Sequence, residues 1–283
     1  MAPRTLQEAI ATCRKLGDSA RILAGGTDLL VQMKFREITP RYVVDISHVL
    51  GLGYVKSNAR GSLLIGALTT LRQLEDSVIH QSYPALHEAV ESFASVPVRE
   101  LATVGGNLCN ASPSADLVPP LLVAEAKLRI AGPAGTRTVA IDDFFKGPGR
   151  TALRTGEVLT EVQIPKLDGG TGTRFIKLAR SMQDLAKVSV AVLVGMRKDV
   201  VTKARIALGA VAPTPMRARK AEKMLEGKKI DEKFLREVGE IAASETKPIT
   251  DVRSTAEYRR RVSGVLVSRA LVTATERARR QPS

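Results

Sequence analysis

Two stretches decide how this chain reads: ILAGGTDLL at residues 22–30 and ATVGGNLCNASPSADL at residues 102–117. Each sets a glycine pair, Gly25-Gly26 or Gly105-Gly106, beside a small polar residue and trails it with an aspartate. Two residues without a Cβ let backbone N–H groups come close to an anion, and a pyrophosphate fits such loops. The same pairs serve equally well as tight turns. Neither stretch has the spacing GxGxxG or GxxxxGK[ST], so the common dinucleotide and P-loop readings fail on glycine position alone.

Working outward from the first stretch, Thr5 and Glu8 make a capping-box pattern ahead of a helical face of Leu6, Ala9, Ile10, Cys13 and Leu16, which Gly17 ends. ARILAG reads as a short strand and TDLLVQMK as a helix. Tyr42 to Ile46 and Leu63 to Ala67 read as strands, with a turn or hairpin over residues 51–61. Around the second stretch, Leu86, Ala89, Val90 and Phe93 mark a helix before it, and a proline-interrupted helix follows near residues 117–126. Strands at residues 127–130, 137–141 and 158–164 close a second α/β part at Pro165, and KLDGGTGT reads as a linker. Beyond it, residues 174–179, 188–196 and 204–212 read as an antiparallel meander. Two helices finish the chain, one running from Thr214-Pro215 to Gly227, the other opened by a Ser254/Glu257 capping box with a face of Tyr258, Val262, Val265, Leu266 and Val272. The expected fold class is α+β, with domains at 1–168 (parts at about 1–60 and 61–168) and 173–283.

Composition narrows the function. Of 283 residues 44% are apolar and 25% charged, the balance of a soluble globular protein. No apolar run of about 18 residues suggests a membrane span, and the polar N-terminus lacks a signal-peptide pattern, so a cytoplasmic protein is expected. Cys13 and Cys109 are the only cysteines, too few for an iron–sulfur cluster or a CxxC metal pair. His48, His80 and His87 are scattered, so no metal site is expected in this chain. The net charge of +14 raises the possibility of an acidic partner. Basic residues are spread along the chain, Trp is absent and only ten residues are Phe or Tyr, which argues against nucleic acid. The denser basic clusters at residues 217–223 and 259–261 read as solvated helix faces.

Both glycine stretches, in this order, resemble the paired FAD-binding loops of the flavin subunits of the xanthine dehydrogenase and carbon monoxide dehydrogenase (molybdenum hydroxylase) family. GEVLTEVQIP at 156–165, FIKLARSMQDLAKVSVAV at 175–192 and DVRSTAEYRRRVSGVLVSRAL at 251–271 resemble that family's middle strands, domain junction and C-terminal helix. The resemblance implies a two-part α/β FAD-binding domain of the PCMH/vanillyl-alcohol-oxidase-like kind, followed by an antiparallel sheet domain covered by helices. It implies FAD contacts from Leu23, Ala24, Gly25, Gly26, Thr27, Asp28 and Leu29, with Thr27 on a phosphate. A second set comprises Thr103, Gly105, Gly106 and Asn107, with Asp116 on a hydroxyl of the cofactor. Phe93 matches an aromatic position near the isoalloxazine, Leu159 and Lys177 match positions on strands that touch the flavin, and Asp184 matches the loop beside it. Some relatives carry Ile or an aromatic where this chain has Leu185.

The resemblance further implies an electron-transfer subunit with no catalytic base of its own. Its partners would be a small subunit carrying [2Fe-2S] clusters and a large molybdopterin subunit, assembled as an (αβγ)2 heterohexamer that passes electrons to an external acceptor. Two other readings stand beside it. A basic RNA- or acidic-partner-binding module follows from the charge alone. A stand-alone flavin oxidase would need its own pocket and base, for which no His, Tyr or Cys constellation argues.

Overall fold

The computed structural model describes residues 1–181 and 183–280. The chain forms two compact units that interleave in sequence. The first takes Met1–Ser77, Ser95–Ala111 and Ala126–Pro165; the second takes Val78–Ala94, Ser112–Glu125 and the chain from Lys166 onward.

In the first unit the chain opens with α1 (Leu6–Leu16), whose capping box is complete: Thr5 Oγ1 accepts from the Glu8 amide and Glu8 accepts from the Thr5 amide. Ala9 and Cys13 face a small core with Val44, Ile46 and Leu52. Strand β1 (Ala20–Leu23), α2 (Leu29–Lys34) and β2 (Tyr42–Asp45) make a βαβ element with parallel strands. The expected turn over residues 51–61 contains β3 (Val55–Ser57), which pairs with β4 (Leu63–Gly66) around Asn58, whose side chain accepts from the Arg60 and Ser62 amides. Helix α3 (Leu71–Glu75) follows.

The chain then passes to the second unit for α4 (Ile79–Ser82) and α5 (Pro84–Glu91), and returns for α6 (Val96–Leu101) and α7 (Val104–Asn110). It visits the second unit again for α8 (Val118–Val123), buried along its whole length. Back in the first unit come β5 (Lys127–Gly132), β6 (Gly135–Ala140), α9 (Ile141–Phe144), the short pair β7 (Phe145–Gly147) and β8 (Arg150–Thr151), and β9 (Val158–Ile164). A five-stranded antiparallel sheet runs in the order β3-β4-β9-β5-β6.

The second unit is completed by β10 (Thr171–Leu178), β11 (Val188–Arg197), β12 (Val200–Gly209) and β13 (Met216–Arg217), antiparallel in that order, and by α10 (Arg219–Leu225), α11 (Glu232–Ser244) and α12 (Ala256–Arg280). Val188, Val190, Val192 and Val194 of β11 share a core with Val267, Ala270, Leu271 and Ala274 of α12. The α+β class and the helix-covered antiparallel sheet are therefore present as expected.

Five details differ from the sequence reading. The second glycine stretch is not a turn but the first turn of α7, because Thr103 caps it, accepting from the Gly106 amide at 3.0 Å. The linker ends early: Thr171 and Thr173 are buried strand residues, and Gly172 is glycine because a Cβ there would run into the Ala274 carbonyl of α12. Three helices, not two, finish the chain. The additional helix is α11, whose buried face is Leu235, Val238, Gly239 and Ala242, with Gly239 allowing a close approach to Gly264 of α12. On α12 the buried side is Leu266, Val267, Ala270, Leu271 and Ala274, while Tyr258, Val265 and Val272 stand exposed.

The basic clusters are the fifth difference, since they are not wholly solvated. Arg217 is buried and donates to Glu222 through Nε at 2.7 Å and Nη2 at 2.8 Å. Arg259 is buried and donates to the carbonyls of Lys187 and Ala210 and to Asp251. Each satisfies acceptors that would otherwise be stranded, which is the condition under which a buried guanidinium is tolerated. Removing Arg217 leaves a buried, uncompensated carboxylate. Arg217→Met should destabilise the fold by about 3–5 kcal/mol in urea unfolding, and adding Glu222→Gln should recover part of the loss. A loss below about 1 kcal/mol would show that the pair contributes little.

Candidate functional site

In the first unit the two glycine stretches are built against each other. Beyond β1 the chain turns at Gly25, where a Cβ would collide with the Leu101 carbonyl, and at Gly26, whose φ of +74° is left-handed. Leu101 and Ala102 lead directly into Thr103, the cap of α7. Gly105 lies equally close to its neighbour: a Cβ would meet the Ala67 oxygen at 2.7 Å, and the Gly105 amide donates to that oxygen at 2.8 Å.

The backbone donors of the two stretches have different fates. Those of α7 are used internally: Val104 N donates to Thr69 O, Gly105 N to Ala67 O, Gly106 N to Thr103 Oγ1 and Asn107 N to Thr103 O. Among the described residues, the amides of Gly25, Gly26, Thr27 and Asp28 donate to nothing in the chain. Backbone N–H groups rarely go unpaired, so four in succession on a loop are a ready anion cradle. Asp28 stands at the N-cap position of α2 without making a capping bond, and desolvation holds its carboxyl above the ordinary value. Asn107 adds one more open valence: its Oδ1 is buried with no partner among the described residues. Leu23, Ala24, Thr27 and Leu29 are half-buried around this loop. Leu159 is buried in β9, opposite Ile130 at a bulge.

The second unit assembles another cluster. Lys177 on β10 is buried and donates to Asp116 Oδ2 at 2.7 Å and to the Ser92 carbonyl at 3.1 Å. Ser92 and the half-buried Phe93 follow α5, and Asp116 lies just ahead of α8. Phe93, Asp116 and Lys177 are thus gathered at one place, with the Ser92 carbonyl as a member that no side-chain signal in the sequence announces. Asp116 Oδ1 is buried and unpartnered among the described residues. Asp184 is not in this cluster; its carboxylate pairs with the exposed Arg180 at 2.9 Å in a turn.

In the first unit, the row of free amides and the open Asn107 acceptor are what a ligand rich in phosphate oxygens and hydroxyls would satisfy, and the family comparison names such a ligand. A family model described as the FAD binding domain in molybdopterin dehydrogenase matches residues 1–167. The chain belongs to the FAD-binding subunits of the molybdenum hydroxylases. A second family model, the CO dehydrogenase flavoprotein C-terminal domain, matches residues 173–274. The glyceraldehyde dehydrogenase medium chain of Sulfolobus acidocaldarius is 33% identical over 94% of this chain and 94% of its own length. The xanthine dehydrogenase FAD-binding subunit of Escherichia coli is 35% identical over 85% of this chain and 83% of its own. A solved structure of carbon monoxide dehydrogenase from Hydrogenophaga pseudoflava superposes with a TM-score of 0.95 at 35% identity, covering 98% of this chain and 96% of that one. This flavin subunit is therefore the flavoprotein component of an oxidoreductase.

Burial pushes the Asp116 carboxyl from 3.8 up to about 6, against the opposing pull of Lys177. A folded-state value raised above the unfolded one means that the folded chain holds a proton the unfolded chain has lost. The contribution of Asp116 to stability is therefore full below about pH 4 and lost as pH rises through about 6. Carbon-13 NMR of the Asp116 carboxyl should show its titration near pH 6, moving higher still in Lys177→Met. A midpoint near 4 in the unaltered chain would contradict the burial account.

Proposed function

We propose that this flavin subunit relays electrons, taking them from [2Fe-2S] clusters on a small partner subunit, which draws on a molybdopterin centre of a large subunit. It passes them to an external acceptor. The single observation that carries the binding half of this reading is the run of four unpaired amides at Gly25, Gly26, Thr27 and Asp28, which suits the pyrophosphate of FAD. Leu23, Ala24 and Leu29 hold that loop in shape, and Thr27 supplies a hydroxyl to a phosphate. Thr103, Gly105 and Gly106 act as scaffold, packing α7 closely enough to set Asn107, whose free Oδ1 accepts from the cofactor.

In the second unit the flavin end is assigned to Phe93, Asp116 and Lys177; Leu159 of the first unit and Asp184, which pairs with Arg180 apart from that cluster, are assigned flavin contacts on the family resemblance alone. Asp116 Oδ1 accepts from a hydroxyl, and Lys177, fixed by two acceptors, keeps its third N–H for the ring system. Bound FAD supplies the redox chemistry, so the chain's own task is to bind, orient and electrostatically tune it, and no catalytic base is required. In sequence terms, residues 1–168 are proposed as the FAD-binding domain, in parts of about 1–60 and 61–168, and residues 173–283 as the C-terminal domain. Relatives named as medium chains support an assembly with other subunits, proposed as (αβγ)2.

Asn107 separates this reading from a purely structural one. Asn107→Leu removes a buried acceptor that has no partner in the chain, so the apo-protein should be as stable or more so, while FAD affinity falls about tenfold or more. The measurements are thermal unfolding without cofactor and a flavin titration followed between about 300 and 600 nm, with dithionite bleaching and mass identification of the released cofactor as checks. Unchanged affinity would remove Asn107 from the site. A chain that takes up no FAD, alone or with its partner subunits, would overturn the whole reading in favour of a basic binding module.

A further inference from the structure

We infer that the outer face of α12 is a docking surface for another subunit of the complex, one that presents an apolar groove with an acidic rim; this rests on the proposed multi-subunit assembly. Tyr258, Val265 and Val272 recur at intervals of seven residues, two helical turns, and so line up along one side of the helix. They are 47%, 44% and 36% exposed, while the opposite side of α12 fills the core. Ile249 and Val252, 69% and 99% exposed, lie just ahead of the helix in the chain. The segment that carries them is fastened there, since Thr250 Oγ1 accepts from the Ala256 amide at 3.0 Å and Asp251 from Arg259 at 2.7 Å. Single exposed apolar residues need no explanation, but three large ones aligned on one side of a helix, with two more on the anchored segment just before it, do.

The charges beside the stripe choose its occupant. Arg261 and Arg269 are exposed and flank it, one on either side, with Glu276 at its C-terminal end. A second copy of this chain is the wrong partner. In an antiparallel pairing centred on Val265, Tyr258 of one copy meets Val272 of the other, and the same register sets Arg261 against Arg269 on both sides. A parallel pairing opposes each arginine to itself. Like charges facing across an apolar contact cost several kcal/mol. A lipid surface is disfavoured by side-chain type: interfacial helices bury Trp, Phe and Leu, whereas this face offers two valines and a tyrosine. Carboxylates around an apolar groove on a different chain satisfy both the stripe and its arginines.

The test is co-expression of this chain with the small and large subunits, with purification through a tag on the large one. Val265→Asp combined with Val272→Asp, and separately Arg261→Glu combined with Arg269→Glu, should each retain wild-type FAD content and thermal midpoint. Both should dissociate from the complex, with affinity weakened about thirtyfold or more. Full retention of both variants in the complex would overturn the inference. So would a wild-type chain that dimerises alone in sedimentation and becomes monomeric on Val265→Asp, or one that binds phosphatidylserine vesicles through this face. A wild-type chain that assembles through this face without flavin would instead overturn the functional reading and leave the interface standing.

Discussion

The Leu101 carbonyl occupies the space that a side chain on residue 25 would need, and much of the first unit follows from that close approach. Only glycine fits there, and the left-handed Gly26 beside it turns the chain from β1 towards α2. The loop so formed leaves its own donors open: the amides of Gly25, Gly26, Thr27 and Asp28 find no acceptor among the described residues. Thr103, two residues after Leu101, caps α7, and Gly105 lets that helix lie on the Ala67 carbonyl. One contact therefore holds an unsatisfied loop against a fully satisfied helix start. The division of labour is physical: one stretch keeps its backbone donors for a ligand, while the other spends them on rigidity.

The second unit solves a different problem, that of holding charge inside a protein. Glu88 accepts from Arg174, from Arg277 and from the Phe175 amide, joining α5, β10 and the end of α12. Arg217 and Arg259 are likewise held within the fold, Arg217 by Glu222 and Arg259 by two carbonyls and Asp251. Against that background Asp116 differs in kind: the buried atoms left open on Arg174 and Arg259 are donors, whereas on Asp116 it is a carboxylate oxygen. It is buried, one of its oxygens has no partner among the described residues, and its charge partner is Lys177. A buried carboxylate oxygen left open calls for an explanation, and a hydroxyl donor from a ligand supplies one.

Much of this was legible in the sequence wherever local chemistry dictates local structure. The Thr5/Glu8 box, the strands of the meander and the glycine pair at residues 25–26 were all readable because capping, alternation and loss of Cβ act over a few residues. The second glycine pair misled because glycine signals a turn just as it signals close helix packing, and only the position of Thr103 distinguishes them. Helix α11 was readable from Leu235, Val238 and Ala242 at helical spacing, whereas the closeness of its approach to α12, Gly239 on Gly264, was not, because glycine leaves no hydrophobic signal. Lys177 looked like a surface lysine because its partners, Ser92 and Asp116, lie far away in sequence.

The misreading of α12 is the most instructive of these. Periodicity marks which residues avoid water but says nothing about what removes them from it. Tyr258, Val265 and Val272 formed a consistent helical face, and so did Leu266, Val267, Ala270, Leu271 and Ala274, a quarter-turn or more around the helix. The chain can bury only one of these faces against its own sheet, and it chose the one whose small residues let the helix settle onto β10 and β11, where Gly172 receives the Ala274 carbonyl. The remaining face keeps the pattern of a core without its partner, and its arginines mean that whatever completes it must bring the opposite charge.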